Sequence, residues 1–132
     1  LKVYLHAFMD GRDTAKDKGV QYVKEILQCP GFVFASMQGR SIGMDRDRRW
    51  EKIEHAYKMM IGQGEKSHLK PESYVLEEYK KGIFDEFITP TLFVEDGAIH
   101  HGDCVFFFNY RPDRARQITL AMNDKNFKEF PV

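Results

Sequence analysis

The arginines of this chain are concentrated in three short segments. These segments are DGRD (10–13), GRSIGMDRDRR (39–49) and RPDRAR (111–116); together they hold every arginine, and none of the lysines lies in them. A guanidinium group is a planar fork of donors that grips a carboxylate or a phosphate with two bonds, which an ammonium group cannot do. The pattern indicates a site that holds an anion. No serine has the setting of an activated nucleophile, so the same residues offer no obvious means of cleaving the anion.

Each arginine segment follows an apolar run that predicts a buried strand. The three strands are expected near 2–8, 32–37 and 104–109. Apolar residues at spacings of three and four predict helices between and after these strands. The helices are expected at 16–28, from a cap at Asp45 or Asp47 to residue 61, from Pro71 to residue 81, and at 112–122, with a small hairpin-like excursion over 92–99.

Alternation of strands and helices predicts an α/β fold with three αβα layers and a mostly parallel sheet. The carboxyl ends of parallel strands lie along one edge of the sheet, where open α/β folds bind their ligands. We therefore expect the three arginine segments to meet at one edge. Pro112 is expected to be the first residue of a helix, whose free N–H groups would favour an anion at the same edge.

Alternating arginine and aspartate also fits a network in which these side chains only pair with one another. One such segment would favour that interpretation, whereas three segments at three strand ends favour an anion site. Arg48, Arg49 and Arg116 lie deeper in the predicted helices, so we assign them to solvent or to structural pairs.

The composition limits the classes of protein to consider. A length of 132 residues fits one domain, and 42% hydrophobic residues suffice for a core. A formal net charge of zero argues against a nucleic-acid binder, and no apolar stretch is long enough to span a membrane. Cys29 and Cys104 are expected to be buried thiols of a reduced compartment, with a disulfide as the alternative. The chain begins without Met inside a predicted strand, so we expect a piece of a longer protein.

The histidines give weaker signals. His100 and His101 are adjacent on an extended segment and have no Cys, His or Asp partner at a suitable spacing, so no metal site is predicted. His6 lies within a predicted strand, where a histidine with satisfied hydrogen bonds is favoured over a catalytic one.

Four segments resemble cofactor-independent phosphoglycerate mutase, in the same order and at similar separations. They are HAFMDGRDT (6–14), GRSIGMDRDRRW (39–50), KGIFDEFITPT (81–91) and FFFNYRPDRARQ (106–117). The resemblance implies an enzyme of two domains that interconverts 3-phosphoglycerate and 2-phosphoglycerate in glycolysis, in the cytoplasm. One domain is similar to alkaline phosphatases, holds two Mn²⁺ ions and carries a serine that is phosphorylated during turnover. The other, inserted into it, binds phosphoglycerate.

Residues 1–132 resemble most of the inserted domain and none of the phosphatase-like domain, so the resemblance implies no metal, cofactor or catalytic nucleophile in this chain. Its partners would be phosphoglycerate and the phosphatase-like domain of the same protein. The implied substrate contacts are Arg12, Asp13, Arg40, Arg46, Arg111 and Arg114. Asp13 could orient a substrate hydroxyl or accept its proton.

The chain departs from the family pattern in two places. Ser41 and Ile42 stand where the family usually has two tyrosines, and Ala15 and Lys16 stand where prolines are common. The first departure bears on packing around Arg40. A second hypothesis, from a different class of protein, is a free-standing anion-binding or interaction module without catalysis.

Overall fold

A three-stranded sheet with helices on both faces forms the fold in the computed structural model, which describes all of residues 1–132. None of the helices is both long enough and apolar enough to cross a membrane. In chain order the elements are β1 (Tyr4–Met9), α1 (Gly19–Leu27), β2 (Val33–Gly39), α2 (Arg40–Gly43), α3 (Trp50–Met60), α4 (Pro71–Lys80), β3 (Thr91–Leu92) and α5 (Arg116–Asn123), with 3-10 turns at Asp85–Phe87 and Glu95–Gly97.

The sheet has the order β1-β2-β3. Strands β1 and β2 run parallel, as expected, and the short β3 pairs antiparallel with β2, so the sheet is mixed. A bulge at Ala35 shifts the register, because Leu5 pairs with Phe34 whereas the next residue, His6, pairs with Ser36. The extra residue changes the alternation by one and allows Phe34 and Met37 to enter the same apolar cluster.

Two apolar clusters cover the two faces of the sheet. Helices α1 and α4 contribute Val23 and Val75 to one cluster, and α3 and α5 contribute Ile53 and Ile118 to the other. Neighbouring residues of one strand reach different clusters: Met37 belongs to the first, while the amide of Gln38 contacts Met60 of the second. This arrangement confirms the predicted α/β class, with its layers of helix, sheet and helix.

The strand predicted at 104–109 is wrong. No backbone group of residues 104–110 forms a hydrogen bond with another backbone group, so this segment belongs to no sheet. Alternate side chains still face opposite ways: Phe107 packs against the α3–α5 cluster, whereas Phe106 and Phe108 are 82% and 93% exposed. An apolar sequence can specify an extended backbone, but a strand also needs a neighbouring edge with which to pair.

Helices α3 and α5 begin later than predicted, and α1 begins at Gly19 where residue 16 was expected. Arg49 is the cap residue of α3, because the buried carboxylate of Asp45 accepts the backbone N–H groups of Asp47 and Arg49 and holds the preceding residues in a turn. Helix α5 begins at Arg116 instead of Pro112, because residues 112–115 form a turn. The expected helix N-terminus at Pro112 is therefore wrong.

Two smaller predictions also need correction. The excursion over 92–99 is no hairpin: Thr91–Leu92 pairs with β2, and a 3-10 turn at Glu95–Gly97 follows. Cys29 and Cys104 are free thiols, but both are exposed and not buried. Cys29 follows the end of α1, and Cys104 opens the unpaired segment 104–110, so neither lies in the core.

Candidate anion-binding site

Arg40 is held by two carboxylates where the parallel strands β1 and β2 end. Its Nη1 atom donates to Asp10 Oδ1 at 2.5 Å and to Asp13 Oδ2 at 2.9 Å. Asp10 Oδ1 also accepts the backbone N–H groups of Arg12 and Asp13, each at 3.2 Å. One carboxylate thereby folds the DGRD loop and ties it to the first residue of α2.

Charge stabilises this arrangement. Burial by itself would raise the pKa of Asp10, but the hydrogen bonds from Arg40 and from the backbone of Asp13 and Arg12 bring that pKa below its ordinary value. Burial would lower the pKa of Arg40, and the bonds to Asp10 and Asp13 raise it instead. Arg40 is buried, with 10% of its side chain exposed, and stays charged because two carboxylates accompany it.

Asp113 joins the second and third arginine segments. Its Oδ2 atom accepts Nη1 of Arg46 at 2.8 Å and Nη2 of Arg111 at 3.0 Å. These hydrogen bonds, that from Arg46 first, lower the pKa of Asp113. The segment at 111–114 therefore reaches the end of β2 through an ion pair, although no strand precedes it.

Arg114 differs from the other arginines of the group because no carboxylate pairs with it. Its Nη1 atom donates to the backbone oxygen of Met44 at 3.4 Å, and its Nε is buried without a hydrogen-bond partner. Burial lowers the pKa of Arg114, and the positive charges of Arg40, Arg46 and Arg111 lower it further, while the charge of Asp113 opposes them. Met44, whose backbone oxygen Arg114 contacts, lies between Arg40 and Arg46 in the chain. A half-buried guanidinium facing other cations is an incomplete electrostatic arrangement, which an anion would complete.

Arg12 lies at the border of this group. Its exposed guanidinium is 3.8 Å from a carboxylate oxygen of Glu86, and its backbone N–H is fixed by Asp10. The structure thus places Arg40 with Asp13, and Arg46 with Arg111, while Arg114 contacts Met44, between Arg40 and Arg46 in the chain. Arg12 is connected to the rest through its backbone and through Glu86.

The arginines that we assigned to solvent or to structural pairs are exposed or paired, but the expectation that they lie deeper in helices is wrong: Arg48 precedes α3, Arg49 caps it and Arg116 is the first residue of α5. Arg49 pairs with Asp45 and Asp47, at 3.5 and 3.4 Å. Arg48 and Arg116 are exposed, and the backbone of Arg48 has a φ of 58°.

Two organising carboxylates, Asp10 and Asp113, were missed by the sequence analysis. Both lie inside the arginine segments, next to residues that we had singled out. Alternation of aspartate with arginine could have indicated them. We interpreted it only as a sign of a network in which these side chains pair with one another. The structure contains such pairs and also leaves Arg114 without one.

The other sequence candidates do not join this group. His6 Nδ1 and Ser36 Oγ share a hydrogen bond of 2.6 Å between paired residues of β1 and β2, and Ser36 is completely buried. His100 and His101 are exposed. No three His, Cys, Asp or Glu side chains are placed to hold a metal ion, so the residues present do not fit a two-manganese site. A hollow of about 500 Å³ on α4 lies at Ser73 and Lys80, away from the arginines, and its mixed lining shows no convergence of like charge.

Comparison with known families shows which family the chain belongs to. The family model described as "BPG-independent PGAM N-terminus" matches residues 1–132, which is the whole chain. The chain belongs to this family. Curated members named 2,3-bisphosphoglycerate-independent phosphoglycerate mutase are similar to it: the protein of Clostridium novyi is 46% identical and that of Clostridioides difficile 44% identical, each over 138 aligned residues. The alignments cover 98% of this chain but only 27% of either relative.

A solved structure has the same fold. Leishmania mexicana phosphoglycerate mutase, crystallised at low cobalt concentration, superposes with a TM-score of 0.85 at 24% sequence identity. The match covers 98% of this chain and 27% of that one. The family's fold is therefore present in this chain, which spans about a quarter of the length of the relatives that it matches.

One of the two departures noted in the sequence, Ser41 and Ile42, lies beside Arg40. Ser41 follows it in α2, and its hydroxyl is buried without a hydrogen-bond partner. Ile42 packs against the α3–α5 cluster. Arg40 keeps both carboxylate partners with these residues in place, so its anchoring does not depend on tyrosines at 41 and 42.

Proposed function

We propose that this chain is the substrate-binding part of a phosphoglycerate mutase that interconverts 3-phosphoglycerate and 2-phosphoglycerate in glycolysis, in the cytoplasm. The names of the similar proteins support this assignment of the reaction, and the group of arginines supports an anionic substrate. Phosphoglycerate carries a carboxylate and a phosphate, with about three negative charges near neutral pH. A group of several guanidinium forks suits both anionic ends.

The observation that carries the proposal is the state of Arg114. Its guanidinium contacts the backbone of Met44, between Arg40 and Arg46 in the chain, makes no ion pair with a carboxylate and leaves the buried Nε unbonded. Bringing like charges together inside a fold costs free energy unless an anion accompanies them. We infer that the phosphate or the carboxylate of the substrate is that anion.

The remaining residues of the set act around Arg114 in this proposal. Arg40, fixed by two carboxylates, supplies a rigid positive charge. The exposed side chains of Arg12, Arg46 and Arg111 can turn from Glu86 and Asp113 to the ligand. Asp13 lies beside Arg40 with most of its carboxylate exposed, where it can orient a substrate hydroxyl or accept its proton.

Chemistry at the phosphorus atom is assigned to residues outside this chain. The resemblance implies a phosphatase-like domain, into which this domain is inserted, with a phosphorylated serine and two Mn²⁺ ions. Those ions would need ligands from that other domain. Residues 1–132 alone are expected to bind phosphoglycerate weakly and not to interconvert its isomers.

The full-length protein tests the proposal. Purified protein is incubated with 3-phosphoglycerate and Mn²⁺, without added bisphosphoglycerate, and ³¹P NMR follows the appearance of 2-phosphoglycerate. Interconversion is the expected result. Binding of phosphoglycerate by the folded protein without any interconversion would instead favour a free-standing anion-binding module.

A further inference from the structure

The 3-10 turn at Asp85–Phe87 lies against the two strand ends that carry the arginine group. A Cβ atom built on Gly11, after β1, would lie 2.8 Å from the backbone nitrogen of Glu86. A Cβ atom on Gly39, the last residue of β2, would lie 2.2 Å from the backbone oxygen of Glu86. Both distances are shorter than any normal contact, so the backbone of the turn packs directly on the two glycines.

The turn also bonds to the strand end. The backbone N–H of Gly39 donates to the oxygen of Ile88 at 2.8 Å, just after the turn, and Ile88 is completely buried in the α1–α4 cluster. Glu86 reaches Arg12 with its carboxylate. A shift of this turn would therefore move the DGRD loop relative to Arg40.

Asp85 holds the turn in place through hydrogen bonds to α1 and α4. Its carboxylate is completely buried; Oδ2 accepts the backbone N–H of Gly19 at 2.6 Å, and Oδ1 accepts the hydroxyl of Tyr79. Its own N–H donates to the oxygen of Lys16 at 2.9 Å. Gly19 begins α1 and Tyr79 lies in the last turn of α4, so one side chain connects two helices to the turn.

We infer that Asp85 is a positioning residue for the anion-binding site. It contacts none of the proposed ligand residues through its carboxylate; it acts by holding the turn against Gly11 and Gly39. The spacing between the loop of Arg12 and Asp13 and the guanidinium of Arg40 depends on that packing. This inference rests on the proposed function for its effect on phosphoglycerate binding.

Glu78 provides a matched control. It is an almost fully buried carboxylate on the same helix as Tyr79. Its Oε2 atom accepts both the hydroxyl and the backbone N–H of Thr89, at 3.2 and 3.5 Å, and the single amide oxygen of Gln can keep both bonds. Neither Gly11 nor Gly39 has Glu78 among its nearest neighbours. Loss of either carboxylate should destabilise the fold, but only loss of Asp85 should disturb the site.

Kinetics of Asp85→Asn and Glu78→Gln in the full-length protein test the inference. Asn cannot accept both donors, because its amide nitrogen would face one of them. For Asp85→Asn we expect KM to rise about tenfold or more while kcat changes less than about threefold, since a small displacement weakens the grip on substrate. Glu78→Gln should leave KM unchanged. Equal changes in KM for the two variants, or an unchanged KM for Asp85→Asn, would overturn the inference.

Hydrogen–deuterium exchange separates this inference from the proposed function, because it needs no activity. Peptides covering residues 9–14 and 38–43 should exchange faster in Asp85→Asn than in Glu78→Gln. If the wild-type protein has no mutase activity, the proposed function fails and exchange still decides the role of Asp85. If Asp85→Asn does not fold, Tyr79→Phe removes one of the two bonds and should accelerate exchange in the same peptides; unchanged exchange there overturns the inference.

Discussion

Arg46 and Asp113 are separated by 67 positions in the sequence, yet Nη1 of Arg46 donates to Oδ2 of Asp113 at 2.8 Å. This ion pair joins the segment that follows β2 to the segment that precedes α5. The same oxygen accepts Arg111, so one half-buried carboxylate holds two cations that would otherwise repel each other.

Replacement of Asp113 by Asn should therefore lower the stability of the free protein and increase the stabilisation that a bound anion provides. Without phosphate, we expect only a small loss of stability, because ion pairs near the surface contribute little. Added inorganic phosphate should raise Tm more in Asp113→Asn than in the wild type, because Arg46 and Arg111 are left uncompensated. Thermal unfolding with and without phosphate measures both effects. Asp47→Asn, which removes only a partner of Arg49, should show no enhanced response to phosphate.

Arg114→Lys should be far from a conservative change in the full-length enzyme. An ammonium cannot reproduce a two-pronged grip, and loss of one charge-assisted hydrogen bond should lower kcat/KM about 10- to 100-fold. Arg116→Lys is the control, since Arg116 is exposed at the start of α5. The division of these arginines into ligand-binding and solvent-exposed ones is wrong if both variants lose activity equally or neither does.

His6 should make stability depend on pH. Burial lowers its pKa below 6.5, although a backbone hydrogen bond with Gly97 partly opposes this. As the pH falls, the unfolded chain binds the proton before the folded one, so this contribution to stability is complete above about pH 6.5 and declines below it, by at most about 1.4 kcal/mol per pH unit.

Urea unfolding between pH 8 and pH 5 checks this expectation. His6→Asn keeps a polar group near Ser36 without a titrating ring, so its stability should fall less steeply over that interval than that of the wild type. His101→Asn, at an exposed position, should behave like the wild type. Identical pH dependence of all three proteins would rule out His6 as the source.

The segment 104–110 should make the isolated chain associate. Its backbone is unpaired, and Phe106 and Phe108 present exposed rings 6.3 Å apart. Exposed extended segments of this kind pair readily with other chains. Sedimentation of residues 1–132 should show concentration-dependent association that Phe106→Ser combined with Phe108→Ser reduces. Leu76→Ser, which removes a lone exposed side chain from α4, should leave it unchanged.

The sequence predicted the elements whose signals are local. Strands β1 and β2 and helices α1 and α4 lie within a few residues of their expected positions, because apolar spacing and Pro71 determine them. The strand at 104–109 could not be excluded in the same way, because an apolar run does not reveal whether another edge is available for pairing. The later start of α3 depends on which N–H groups the carboxylate of Asp45 accepts, which composition does not specify.

In the candidate site, too, the local features were predictable and the long-range contacts were not. The clustering of arginine identified the segments, and the ion pairs at Asp10 and Asp113 bring most of them together. The reason first given for their meeting, three parallel strand ends and a helix at Pro112, applies to two segments only. The third segment is joined to the others by contacts of Asp113 with Arg46 and of Arg114 with Met44. Spacing along the chain does not predict such long-range contacts.

Carboxylates of the chain itself already accompany most of the arginines. Asp10, Asp13, Glu86 and Asp113 each lie against one or two of them, so the net charge of the group is small. Binding a phosphate ester then exchanges internal ion pairs for external ones, and few solvent counterions are released. Affinity for the ligand should consequently vary only weakly with ionic strength, and capture should gain little from long-range electrostatic steering.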